Sequence, residues 1–141
     1  MSVYFKEAPE YLKQAIESIQ AQTFQTNDFV LVCDGPLNDG LDAIIAKKQQ
    51  EMGETLNVVR LAKNGGLGNA LNEGIKHCKN ELVARMDSDD ISAADRCEKQ
   101  VKLFKKNPEL DITSGALLEF VTSPDPVSYT HLRAHETDSY L

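Results

Sequence analysis

The stretch FVLVC at residues 29–33, stopped by Asp34-Gly35-Pro36 and followed by GLDAIIAKKQQEM at 40–52, decides the reading of this chain. A short, β-rich apolar run without alternation is the pattern of a strand buried on both faces, as in a parallel sheet. The Asp-Gly-Pro turn ends it, and the next segment reads as a helix. The same step recurs on both sides. Upstream, SVYF at 2–5 is a short strand, and Pro9 opens a helix through EYLKQAIESIQAQ, where Leu12, Ala15, Ile16 and Ile19 fall at helical spacing. Downstream, LNVVRL at 56–61 is a third strand, Asn64-Gly65-Gly66 a turn, and LGNALNEGIKHC at 67–78 a helix with Leu67, Ala70, Leu71 and Ile75 on one face. ELVARM at 81–86 reads as a fourth strand ending in Asp87-Ser88-Asp89-Asp90, a helix covers about 94–106, and LDITSGALLEFV at 110–121 supplies one more strand.

Parallel neighbours need a crossover connection, and that crossover is right-handed. Four strand-helix steps in a row therefore predict an α/β fold: a mostly parallel, Rossmann-like sheet with helices on both faces. A strand inside such a sheet usually runs to about five or six apolar residues. Only Val3 to Phe5 follow Met1 here, so the first strand is expected to have lost its upstream half.

The chain has 141 residues, 41% of them apolar and 26% charged, which is ordinary for one globular domain. A net charge of −7 and a pI near 4.9 argue against nucleic acid or an anionic bilayer as the main partner, since both reward positive surface. No apolar run approaches the roughly 20 residues of a membrane span, and the N-terminus carries no basic segment followed by a hydrophobic one, so the default location is cytoplasmic. Cys33, Cys78 and Cys97 form no C-x-x-C pair and read as small packed thiols.

From Pro124 onward the periodic patterns stop. VSYTHLRAHET, from 127, matches the translation of a transposon-type sequencing adapter. Residues 127–141 are accordingly expected to be a non-native tail, and His131, Arg133 and His135 are set aside with it. The domain proper is expected to be 1–126.

In an open α/β sheet, ligands gather outside the carboxyl ends of the strands. The residues there are Tyr4, Lys6 and Glu7 after the first strand, Asp34 after the second, Lys63 and Asn64 after the third, and Asp87, Asp89 and Asp90 after the fourth. Asp87 and Asp89 are two apart, so an extended backbone would turn both carboxylates to one side. Packed carboxylates repel, and a hard divalent cation such as Mg²⁺ or Mn²⁺ relieves them while sharing its shell with phosphate. The same DSDDIS also suits a solvated turn capping the next helix. Asp34 is placed to accept from a base imide or a ribose hydroxyl, or to anchor its own turn. The Lys63-Asn64-Gly65-Gly66-Leu67-Gly68 turn opens a helix, where free N–H groups and the dipole favour an anion, although glycines also serve simply to turn a chain. Tyr4 can stack on a base or pack on its neighbours. His77 reads as a helix C-terminal surface residue.

Together, S-V-Y followed by Glu7, an Asp after the second strand, N-x-G-L-x-x-A-L-N-x-G-I at 64–75 and A-R-M-D-S-D-D-I at 84–91 resemble the first half of family 2 glycosyltransferases of the GT-A fold, over nearly all of 1–121. The resemblance implies a nucleotide-diphospho-sugar donor, UDP- or GDP-linked, framed by Tyr4, Glu7, Asp34, Lys63 and the Gly65–Leu67 turn. It implies that Asp87 approaches the ribose and that Asp89, with Asp87, holds Mn²⁺ or Mg²⁺, Asp90 supporting. The acceptor is expected to be a glycan or lipid-linked sugar. Ala94 stands where family members commonly have proline. The family's acceptor half and its general base are expected beyond residue 121, so this chain by itself is expected to be incompetent for transfer. Two other classes compete with this reading. A dinucleotide-binding Rossmann domain is disfavoured because the turn from Tyr4 to Pro9 contains no glycine. A receiver-like α/β module would bind Mg²⁺ through the same acidic cluster without nucleotide.

Overall fold

In the computed structural model, which describes residues 1–117, β2 (Phe29–Cys33) forms the centre of a three-stranded parallel sheet. β1 (Ser2–Val3) pairs along one edge with Ser2 opposite Val32, and β3 (Leu56–Arg60) along the other with Phe29 opposite Leu56 and Cys33 opposite Arg60. All five residues of β2 are buried, and alternation divides them between two faces. Phe29, Leu31 and Cys33 pack with Leu12 and Ile16 of α1 (Pro9–Gln20) and with Leu41 and Ile45 of α2 (Asp39–Met52). Val30 and Val32 pack against Ala70 of α3 (Leu67–Lys76) on the opposite face. The sheet is thus covered on both sides, which is the α/β, Rossmann-like class expected from the sequence. Leu12, Ile16, Leu31, Leu41 and Ile45 are fully buried, each contributing about 1.5–3 kcal/mol of hydrophobic stabilisation.

The helix ends follow local chemistry. Pro9 is the first residue of α1, where its missing N–H is no loss. Asn38 caps α2 by accepting from the Leu41 N–H at 3.0 Å, and its side-chain amide donates to the Phe5 carbonyl, tying the start of α2 to the chain after β1. Lys48 of α2 is buried between Glu17 at 3.1 Å, Gln20 at 3.0 Å and Glu51 at 2.8 Å, which pins α2 to α1. The last helix among the described residues, α4, runs from Arg96 to Lys106, two residues later than the expected start.

The chain divides into two compact units, 1–101 and 102 onward, and the sheet with α1, α2 and α3 belongs to the first.

Two expected strands differ from the observed structure. Residues 81–86 form no strand; a single parallel bridge joins Ser2 to Asp87. The reason is geometric: β1 offers only two residues of edge, already paired on its other side with β2, so a partner there cannot extend its ladder. Leu82 and Val83 are left about half exposed. Residues 110–117 are not a strand either, and the remainder of that segment, like the 127–141 tail, lies outside the described residues.

Candidate functional site

The bridge places Asp87 on the free edge of β1, giving the order β3-β2-β1-Asp87. Strand order reverses at β1, and the crevice outside the carboxyl ends at such a reversal is where open α/β sheets bind ligands. Three turns reach it: Tyr4 to Ala8 after β1, Asp34 to Asn38 after β2, and Leu61 to Gly66 after β3.

The second and third turns are locked together. Asp34 is buried, and its two carboxylate oxygens accept from the backbone N–H groups of Gly65 at 2.8 Å and Gly66 at 2.9 Å. The Asn64 amide donates to the Asp34 carbonyl at 3.3 Å. Gly35, at φ +88°, has its α-carbon so close to this turn that a Cβ would stand 2.6 Å from the Asn64 nitrogen. Only glycine satisfies both constraints. The Gly65 and Gly66 N–H groups, expected from the sequence to face an anion, are therefore engaged by Asp34. Lys63 and Leu67 flank this turn with exposed side chains.

The acidic loop lies beside the first turn. The backbone turns at Ser88 and Asp89 and does not remain extended, so strand alternation does not set the directions of the Asp87 and Asp89 carboxylates. Burial, then the charges of Asp89 and Asp87, raise the pKa of Asp90 above the usual aspartate value, with Arg96 and Arg85 opposing. Asp87 is half-buried, and both its oxygens accept from Arg85 at 3.0 Å; Asp89 is exposed. Ser88 between them points inward and donates to Glu7 at 2.8 Å. Arg96, at the start of α4, donates to the Arg85 carbonyl at 2.7 Å and so holds the stretch leading into the loop.

Sequence reasoning missed the residues that hold the loop's far end. Gln22 is buried just past α1, where it donates to the carbonyls of Ser18 and Ala93 at 3.1 and 2.7 Å and to Ser92 Oγ at 3.2 Å, and accepts from Cys97 N–H at 3.0 Å. Ser18 Oγ accepts from Ser92 N–H at 3.0 Å. Nothing local marks these residues, since their partners in the loop lie 70 or more positions away. Tyr4 is exposed and meets Phe5 edge-on, with ring centres 6.2 Å apart. His77 is the C-cap residue of α3, as its place in the sequence implied.

Oxygen donors suited to a hard cation are present at Asp87, Asp89 and Asp90, but no set of three metal-ligating side chains converges among the described residues. A cation there would complete its shell with ligand phosphate and water, the usual arrangement for Mg²⁺ on nucleotides. A cavity of about 700 Å³ lies on the α3 face of the sheet, lined by Val32, Ala70, Ile75, Leu82 and Met86.

A parallel sheet with helices on both faces and a strand-order reversal at β1 defines the class as a Rossmann-like α/β domain. The sequence profile described as "Glycosyl transferase family 2" matches residues 1–132, and the chain belongs to that family. It is 42% identical over 120 residues to the amylovoran biosynthesis glycosyltransferase AmsE of Erwinia amylovora, covering 85% of this chain and 44% of that protein. It is 33% identical over 124 residues to the Escherichia coli UDP-Gal:alpha-D-GlcNAc-diphosphoundecaprenol beta-1,3-galactosyltransferase, covering 88% and 44%. The crystal structure of S. aureus TarS superimposes with a TM-score of 0.64 at 25% identity, over 74% of this chain and 18% of TarS. The chain thus spans less than half the length of these curated relatives. No helix among the described residues is long and apolar enough to cross a membrane.

Proposed function

We propose that the protein transfers a sugar from a nucleotide-diphospho-sugar to a glycan or lipid-linked acceptor, and that this chain carries the donor-binding part. The observation that carries this reading is the juxtaposition, at the reversal point of a family 2 sheet, of the Asp87–Asp90 loop with the Asp34-locked glycine turn. Tyr4, Lys63 and Leu67 are exposed around the crevice and supply a stacking face, a cation for phosphate and an apolar wall. Asp34, Gly65 and Gly66 form its rigid floor. The relative that uses UDP-Gal favours a UDP-linked donor over a GDP-linked one.

Asp89, with Asp87, would hold Mn²⁺ or Mg²⁺ on the donor diphosphate, and Asp90 would add negative charge behind them. When bound, such an ion acts as a Lewis acid that neutralises charge on the leaving diphosphate. Binding would draw Asp87 from Arg85 towards the metal and ribose, and Arg85 would then be free to meet phosphate. The acceptor hydroxyl would lose its proton to a carboxylate in the part of the relatives that this chain does not span, so the chain alone would not sustain transfer.

Calorimetric titration of the chain with UDP and with GDP, each with and without Mn²⁺, tests the reading. Saturable binding of UDP that needs Mn²⁺ and disappears in Asp89→Ala is expected. Binding of Mg²⁺ or Mn²⁺ that is indifferent to nucleotide would refute the donor site and favour a metal-only module.

A further inference from the structure

Glu7 is the residue of the first turn whose role the geometry redefines. Its Oε1 accepts from the Ala8 N–H at 2.9 Å, at the threshold of α1, and its Oε2 accepts from the Ser88 hydroxyl at 2.8 Å, across 81 positions of sequence. Both oxygens are thus directed at the protein. Ser88 is only 6% exposed and sits between Asp87 and Asp89 in the loop's turn. With the middle residue of the turn held inward, its two acidic neighbours remain at the surface.

We propose that Glu7 is a positioning residue: it fixes the acidic loop through Ser88 and does not itself touch nucleotide or metal. This departs from the nucleotide-framing role that the family resemblance implies for Glu7. Its functional consequence rests on the donor-site reading above, but the clamp itself does not. The loop has no strand leading into it, so the cost of ordering its carboxylates would otherwise fall on ligand binding. A charge-assisted hydrogen bond to a buried hydroxyl, made before the ligand arrives, removes much of that cost.

The test separates geometry from charge. In Glu7→Gln, the amide oxygen can still accept from Ala8 N–H while the amide nitrogen donates to Ser88 Oγ; Glu7→Ala and Ser88→Ala each break the bond. Affinity of the 141-residue chain for Mn²⁺ in the presence of UDP, read by the electron spin resonance of free Mn²⁺, is expected to fall about tenfold in either alanine variant, the ratio one such bond is worth. Glu7→Gln should stay within about threefold of the parent, since the loss of charge weakens the bond without breaking it. The Glu7→Ala/Ser88→Ala double variant should bind no more weakly than the worse single variant, because both remove one interaction. Circular dichroism confirms that each variant folds. A Glu7→Gln loss equal to that of Glu7→Ala, or multiplicative losses in the double variant, would overturn the proposal and make Glu7 a direct ligand contact. Amide hydrogen exchange across 87–90 reads the clamp without ligand: faster exchange in both alanine variants and parent-like exchange in Glu7→Gln is expected, and no change in any of them would refute it. If the parent binds no Mn²⁺ with UDP, the donor-site reading fails and the exchange result alone decides the clamp.

Discussion

Replacing Asp34 with alanine tests how the crevice is built. Asp34 is 5% exposed, and its carboxylate accepts from two backbone N–H groups, Gly65 at 2.8 Å and Gly66 at 2.9 Å. A hydrogen bond to a charged group contributes about 1.5–3 kcal/mol, and a buried donor left alone costs about 1–3 kcal/mol. Gly65 is exposed, so water can reach its N–H once the carboxylate is gone, whereas Gly66 is half-buried. The estimate therefore lies towards the lower end of the sum, at roughly 2–4 kcal/mol for Asp34→Ala. Asp34→Asn keeps one acceptor oxygen but turns an amide N–H towards the other backbone donor, and is expected to cost about 1–2 kcal/mol.

Against a total of about 5–15 kcal/mol for a domain, either loss is measurable. Urea unfolding followed by circular dichroism should show a lower midpoint at unchanged slope, and the Tm of Asp34→Ala should drop by about 6–20 °C. The order parent, Asp34→Asn, Asp34→Ala is the signature of a staple between two turns. If Asp34→Ala loses less than about 1 kcal/mol yet abolishes UDP binding, the carboxylate faces the ligand and the staple argument is wrong.

Three further substitutions follow from the same contacts. Gly35→Ala forces a side chain into φ +88° and 2.6 Å from the Asn64 nitrogen, so it should cost about 2–4 kcal/mol by thermal unfolding; a parent-like Tm would show that the turn can relax. Gln22→Ala strands the Cys97 N–H and two carbonyls, and is expected to cost about 2–4 kcal/mol and to speed amide exchange at 92–97 more than anywhere else in the first unit. Burial disfavours the Lys48 ammonium, but hydrogen bonds and charges from Glu51 and Glu17 outweigh it and raise its pKa above 10.5. Its contribution is therefore fully present below about pH 10.5 and lost as pH rises through the raised value. The Tm should fall across that alkaline range in the parent, and this step should be absent in Lys48→Met.

What the sequence made legible was what is local. α1, α2 and α3 and the strands β2 and β3 lie within about two residues of their expected bounds, because apolar spacing and Pro, Asn or Gly stops are properties of a short window. ELVARM at 81–86 has the composition of a strand, but a strand also needs a free edge to pair with, and a two-residue β1 supplies almost none. The candidate site divides in the same way. Asp34, the Gly65-Gly66 turn and the Asp87–Asp90 loop were visible as polar punctuation after apolar runs. That Asp34 consumes the very N–H groups expected to face an anion, and that Glu7, Ser18 and Gln22 hold the acidic loop, depends on contacts at separations of 31 to 81 positions, for which a single sequence carries no periodic signal.

Those contacts explain how a loop without a preceding strand keeps its place. Asp87 bridges to Ser2 of β1, Ser88 is held by Glu7, and Ser92 and Ala93 are held by Ser18 and Gln22 on and just after α1. All of these anchors belong to the first β-α step. β1 is in turn paired with β2, whose following residue Asp34 locks the glycine turn. The acidic loop is therefore anchored to β1 and α1, and the glycine turn to the residue after β2. Removing the Ser18 hydroxyl, which accepts from Ser92 N–H and lies outside the core cluster on β2, should loosen the acidic loop while leaving the Asp34 staple intact. The first strand and the helix after it thus form the frame on which the acidic loop is hung.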